Sequence, residues 1–418
     1  MLNRLHRIEK KINISNFVPG IASVDPALSI GDIARKALRR DNVSETRSFA
    51  EHDPSAKSAA VFELILKNKF RSIPKDWKSQ SLNDLAALTP QRDGFVVVES
   101  NIVLRALAII AVVSGHMGWI IFTGGAAFLL ALSGFNFGRF KSSELLGKNG
   151  PWPTVFKYLK KIAIPYLITV VAYLVWKREF EIGTLLLYSN LFQVEATAIF
   201  PIWFIQVLAQ CAVLMGVTLF IPPVAKLLQK DVLATSLGIL AFSILAKIAI
   251  QFFWDTNYLN NRVPHIYMIL FWLGWCGALV STVKSRITMS VVAVIAALSF
   301  ANDLEGALEW GGTTTLWIIG GFLIILWRPY LLMPKLLAVP IALFAAASYY
   351  TFIFHMGIKH VLVAFDITSP VLLVLAGNVG GVAMWIFFDK FRVHRVLWRS
   401  AITRILQRTE KFEGGQKP

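Results

Sequence analysis

Apolar runs recur near residues 103–122, 124–140, 162–176, 202–221, 232–253, 265–281, 287–301, 313–327, 336–354 and 367–389, separated by polar intervals. A hydrocarbon core about 30 Å thick is crossed by about 20 residues of α-helix, so the pattern predicts an all-α polytopic membrane protein with about ten transmembrane helices. An eleventh run, 182–194, is short and carries Tyr188, Ser189, Asn190 and Gln193. It reads as re-entrant or interfacial. Ahead of the runs the pattern changes. Residues 30–90 are mixed in polarity, with helical spacing at Ile33, Ala37 and Leu38 and again at Phe62, Ile65, Leu66 and Phe70. That spacing predicts a small cytoplasmic helical domain after an N-terminal tail at 1–29. A linker at 91–100 leads to a membrane domain at 101–395, and a basic tail occupies 396–418.

Loop charge orients this arrangement. With the N-terminus inside and 182–194 not crossing, the inner loops receive Arg139, Lys141, Lys148, Lys157, Lys160 and Lys161, then Lys226 and Lys230, Lys284 and Arg286, and Arg328 and Lys335. The outer loops receive Asp255 with Arg262, the acids Asp303, Glu305 and Glu309, and a mixed set around Lys177 to Glu195. Basic residues on the inner side are what the positive-inside rule requires, whereas an eleventh crossing at 182–194 inverts every later loop. Both termini are therefore expected in the cytoplasm of a multi-pass protein of the cell (inner) membrane. Residues 1–100 also lack the basic-then-apolar pattern of a cleavable signal.

Composition agrees, with 56% hydrophobic residues, 16% charged residues and a mean hydropathy of +0.58. The net charge of +17 is then accounted for by topology and an anionic inner leaflet. No base-stacking or helix-turn-helix pattern points to nucleic acid. Cys211 and Cys276 fall in apolar runs without metal or disulfide spacing and read as small packing residues, and no metal is expected.

Two ionisable residues break the first run. Arg105 and His116 are eleven residues apart. At 100° per residue this is about 20° past three full turns, so both side chains share one helix face, separated by a rise of about 16 Å. Ionisable groups inside a span usually face a cavity, a pathway or a reaction site. With Arg105 at the inner boundary, His116 is expected near the midplane. A neutral imidazole there suits a general base, and a guanidinium offers a fork of donors to phosphate or carboxylate. Snorkelling to lipid headgroups is the structural alternative for Arg105.

The words around these residues resemble the acyltransferase-3 family of integral membrane acyltransferases. The segment LRALAIIAVVSGH holds an Arg, ten residues and a His, and GGAAFLLALSGF follows with Ser133, Gly134 and Phe135. A basic cluster precedes Ile164, Pro165 and Tyr166, after which come PIWFI around Trp203, FWLGW around Gly274 and SYYTFIFH with Ser348, Tyr349 and His355. The resemblance implies transfer of an acetyl or other short acyl group from a cytoplasmic thioester donor to a hydroxyl. The donor is expected to be acyl-CoA, above all acetyl-CoA, or an acyl carrier supplied by an acyl-activating enzyme. The acceptor is expected to be a glycan or a lipid-linked carbohydrate. His116 and Arg105 are then the candidate catalytic residues. Lys157, Lys160 and Lys161 are candidates for binding the donor, although the family more often shows arginines at these positions. Trp203, Glu195 and His355 are candidates on the acceptor side. No Gly-x-Ser-x-Gly elbow surrounds Ser133 or Ser348. Intramembrane Arg and His also suit a transporter, and a polysaccharide-assembly scaffold without acyl chemistry is a further alternative.

Residues 30–90 resemble a degenerate acyl carrier domain. IGDIARKALRR is similar to a first helix, AVFELILKNKFRSIPKDW to a second helix and the turn beyond, and SLNDLAAL to a closing helix. Ser58 then stands where a phosphopantetheine-bearing serine is expected, but Lys57, Ser58 and Ala59 replace the usual Asp-Ser-Leu. A helical domain docking on the membrane or on a partner is the alternative.

Overall fold

The computed structural model describes residues 94–390 apart from 121–123, 179–180, 192–202, 254–261 and 302–310, together with parts of 30–86. Every run in the ten-span pattern carries a helix. These are α1 (Ser100–His116), α2 (Gly125–Phe140), α3 (Trp152–Lys177), α4 (Trp203–Phe220) and α5 (Val232–Phe253), then α6 (Pro264–Ala278), α7 (Val283–Ala301), α8 (Gly311–Trp327), α9 (Lys335–Ala364) and α10 (Pro370–Lys390). Among the described residues, five of them, α3, α4, α5, α9 and α10, are long and apolar enough to cross a membrane. Their outward faces carry exposed Val171 and Val175, Phe242 and Leu245, and Leu375 and Val379. Such continuous apolar surface fits lipid rather than water.

One of the shorter helices, α6, lies furthest in. α6 is buried from Ile266 to Gly277, the pattern of a helix surrounded by protein. It packs most extensively against α2. At Gly134 a Cβ would fall on the carbonyl of Phe271, and at Gly274 one would fall on the carbonyl of Ala131. Two backbones can approach this closely only where the side chain is a hydrogen, which explains glycine in both LSGF and FWLGW. A second group is built by α9 with α10 and α1, and α1 also packs on α2.

α1 ends earlier than its apolar run. The run extends to Phe122, but the helix stops at His116 with Met117 as C-cap, its N–H bonded to Val113 O. Gly118 follows at φ +71°, a left-handed conformation that glycine adopts at least cost and that ends the helix. His116 is therefore the last residue of α1, at the end of the helix remote from Arg105, rather than partway along a longer span.

The described part of the 182–194 segment, 182–191, forms two short pieces, a helix at Ile182–Leu185 and a 3-10 turn at Ser189–Leu191. Several of its described polar groups are paired with α3, with α4 and with the backbone just ahead of α6. Tyr166 donates to Thr184 O at 2.7 Å, Gln206 Nε2 donates to Ser189 Oγ at 2.7 Å, and Asn190 Nδ2 donates to Gln210 Oε1 at 3.0 Å and to Arg262 O at 2.9 Å. Irregular backbone at membrane depth is tolerable where protein satisfies it in this way.

A two-stranded antiparallel ribbon provides an independent check on the crossing number. β1 (Phe95–Glu99) pairs with β2 (Tyr330–Pro334) in the register Phe95↔Pro334 through Glu99↔Tyr330. β1 precedes α1 and β2 follows α8, so the chain between them returns to the face it left. Eight crossings do this and nine do not. The ribbon thus supports a non-crossing 182–191. Ahead of it, Phe49, Phe62, Leu66, Phe70, Trp77 and Leu85 form a separate apolar core in which the Phe49 and Phe62 rings stack at 4.1 Å.

Candidate active site

The remote end of α1 meets α9. His116 Nδ1 and His355 Nε2 are 2.7 Å apart, with the ring planes at 7°. His355 is fully buried. Its Nδ1 lies 2.9 Å from Phe352 O and 3.0 Å from Thr351 O, and carbonyl oxygens only accept, so this nitrogen carries the hydrogen. In the neutral ring Nε2 is then the acceptor, and His116 Nδ1–H donates to it. His116 Nε2 is left with the lone pair. The helix α9 therefore sets the tautomer of a residue on α1 through its own backbone, much as the buried member of a catalytic triad orients its histidine.

Cations surround this pair. Lys359, one turn beyond His355, donates to His116 O at 2.7 Å and so satisfies a terminal carbonyl of α1. The charge of Arg262 also acts on His116, and its guanidinium lies 5.5 Å from the centroid of the Trp203 ring. Trp203 touches Phe204 at 6.2 Å and Tyr267 at 5.1 Å between ring centroids. Phe204 reaches Phe352 at 4.5 Å, and Phe352 reaches His355 at 5.9 Å. An aromatic wall thus links Trp203 to the histidine pair.

The other end of α1 holds Arg105, half-buried, within electrostatic reach of Glu99 and Tyr158. Glu99 is 7% exposed and is gripped at two points by Arg139, at 3.0 and 3.1 Å. Such a bidentate pair fixes the carboxylate plane. Tyr158, on α3, packs edge-on against Phe137 at 4.6 Å. Lys157, Lys160 and Lys161 flank Tyr158 on the exposed face of the same helix.

The expected site residues are thus distributed over two ends. His116, His355 and Trp203 come together at one, while Arg105 stands at the other beside the helix that carries the three lysines. Glu195 and Ser58 lie outside the described residues. Sequence reasoning did not find Glu99, Arg139, Tyr158 or Lys359 as partners of the site. The available signals were an acid directly before the first run and a lysine four residues after His355.

Residues 101–390 match a family model described as an acyltransferase domain. No curated protein and no solved structure matches the chain.

Proposed function

The chain belongs to that acyltransferase domain family, whose model covers more than half of it, and from this premise we propose a specific reaction. The enzyme transfers an acetyl or other short acyl group from a cytoplasmic thioester, acyl-CoA or an acyl carrier, to a hydroxyl of a carbohydrate or lipid-linked acceptor reaching in from the other side. It works in the cell membrane with both termini in the cytoplasm. The observation that carries this reading is the histidine pair, with His116 Nδ1 held 2.7 Å from His355 Nε2.

The steps follow from that tautomer. The acceptor oxygen attacks the thioester carbonyl carbon while its proton passes to His116 Nε2. His355 Nε2 accepts the hydrogen bond of the resulting imidazolium. As the tetrahedral intermediate collapses, the C–S bond breaks and the thiolate takes the proton back from His116, leaving an ester and a thiol. A well-placed base contributes about 10² to 10⁴ in rate. Arg105 suits the phosphate groups of the donor, with Lys157, Lys160 and Lys161 adding diffuse positive charge nearby.

Purified protein incubated with radiolabelled acetyl-CoA and extracts of glycans and lipids tests the reading. We expect labelled ester product, and a loss of at least about a hundredfold in His116→Ala. Absence of transfer to any extract, with export of a glycan intact in His116→Ala cells, would favour a transporter. A cellular product that vanishes on deletion of the chain but persists in His116→Ala would favour a scaffold.

A further inference from the structure

The N-terminal core and the membrane bundle meet at Tyr330. Lys67 Nζ stands 3.5 Å from the centroid of the Tyr330 ring, a cation–π contact. Glu63, one helical turn earlier and paired with Lys67 at 2.9 Å, brings its charge to bear on the Tyr330 side chain. Burial raises the pKa of the Tyr330 phenol, helped by the charges of Glu63 and Glu99, so this group stays a neutral O–H. Tyr330 lies directly opposite Glu99 in the ribbon. Glu99 in turn is gripped by Arg139 and is the acid whose charge acts on Arg105. A continuous set of contacts and charges therefore runs from the N-terminal domain to the arginine of α1. Because Glu99 is only 7% exposed, little solvent screening intervenes.

We propose that the N-terminal domain is a regulatory part of the donor mouth: clamped on Tyr330, it steadies the ribbon and Glu99, and thereby sets how well Arg105 receives the donor. The proposal rests on the acyl-donor reading given above. Release of the clamp takes Glu63 and Lys67 away from Tyr330 and loosens the ribbon at its junction with α1. Glu99 then divides its charge differently between Arg139 and Arg105. The histidine end of α1 is about 16 Å further along the helix, so the effect falls on donor binding rather than on the chemical step.

The test uses the full-length protein with Lys67→Ala and Glu63→Gln, neither of which alters the membrane domain. Hydrogen exchange of 95–99 and 330–334 reports docking, and steady-state kinetics with acetyl-CoA report coupling. We expect faster exchange in the ribbon and a donor KM raised about five- to tenfold, the lower range for coupled sites, with kcat within about twofold. Glu99→Gln is expected to raise KM alone and to combine with Lys67→Ala less than additively, the signature of residues on one path. Unchanged exchange in Lys67→Ala overturns the docking, whereas faster exchange with unchanged KM, or strictly additive effects, overturns the coupling. If the wild type transfers nothing, the acyl-donor reading fails, and coupling is read from equilibrium binding of CoA. A protein that neither transfers from nor binds this donor overturns the coupling as well, while exchange still reports whether the domain docks.

Discussion

In the proposed reaction, the pairing of His116 with His355 turns an isolated base into an oriented one. Removing the second ring leaves His116 able to rotate, and the hydrogen on Nδ1 loses its acceptor. We expect His355→Ala to lower kcat about ten- to a hundredfold, less than loss of the base itself, with donor KM nearly unchanged. His355→Gln should recover part of the rate, because its amide oxygen can still accept from Nδ1. Equal activity of His355→Ala and wild type in a single-turnover assay would remove His355 from the mechanism. At the other end of α1, Tyr158 shows how near a sequence reading came and why it stopped. The cluster FKYLKK draws attention to its lysines, but on a helix the tyrosine between them turns inward while they turn outward. Charge marks the lysines, whereas only packing reveals the residue that meets Phe137 and lies within electrostatic reach of Arg105.

Among elements, the α2–α6 contact is the one that most constrains the site, since α2 carries Arg139 and Ser133 and packs on α1. Its glycines make the prediction sharp. Gly274→Ala pushes a methyl into the backbone of α2, and overpacking of this kind typically costs about 1–3 kcal/mol. Gly238 on α5 has nothing within 4 Å of an added Cβ, so Gly238→Ala should be neutral or slightly stabilising. Thermal unfolding in detergent compares the two, and equal melting temperatures would contradict the close approach. The short 182–191 segment also belongs at this scale. Its length and polar residues suggest an interfacial piece and loop charge argues against a crossing, but the side chains that hold it, Tyr166, Gln206 and Gln210, sit on helices whose overall composition is apolar.

Across the whole molecule, the ribbon and the loop charges both call for an even number of crossings between β1 and β2. Single cysteines replacing Lys148, Lys284 and Arg328 should react with an impermeant thiol reagent from one side of the membrane, and one replacing Asp366 from the other. All four positions are exposed. Labelling of Arg328→Cys and Lys148→Cys from opposite sides would break the crossing count. The same topology places Arg105, Arg139 and the ribbon at one end of the bundle and His116, Lys359, Arg262 and Trp203 at the other, so the proposed reaction has donor and acceptor approach from opposite faces. The N-terminal domain, docked on Tyr330, sits at the first of these ends.

Sequence alone determined the class of the protein, the ten helical runs and the alignment of Arg105 with His116. Each is a matter of local period or local composition, and a helix of 3.6 residues per turn converts spacing along the chain directly into direction in space. Tertiary structure alone decided that His355 is the partner of His116, 239 residues away, and that His116 ends its helix instead of lying within it. It alone paired Glu99 with Arg139 and brought β2 to β1. These contacts join distant parts of the chain, and no periodicity within one helix records which other helix will lie beside it. Close packing makes that choice, here through two glycines that let α2 and α6 touch and an α9 long enough to bring a buried histidine to the end of α1.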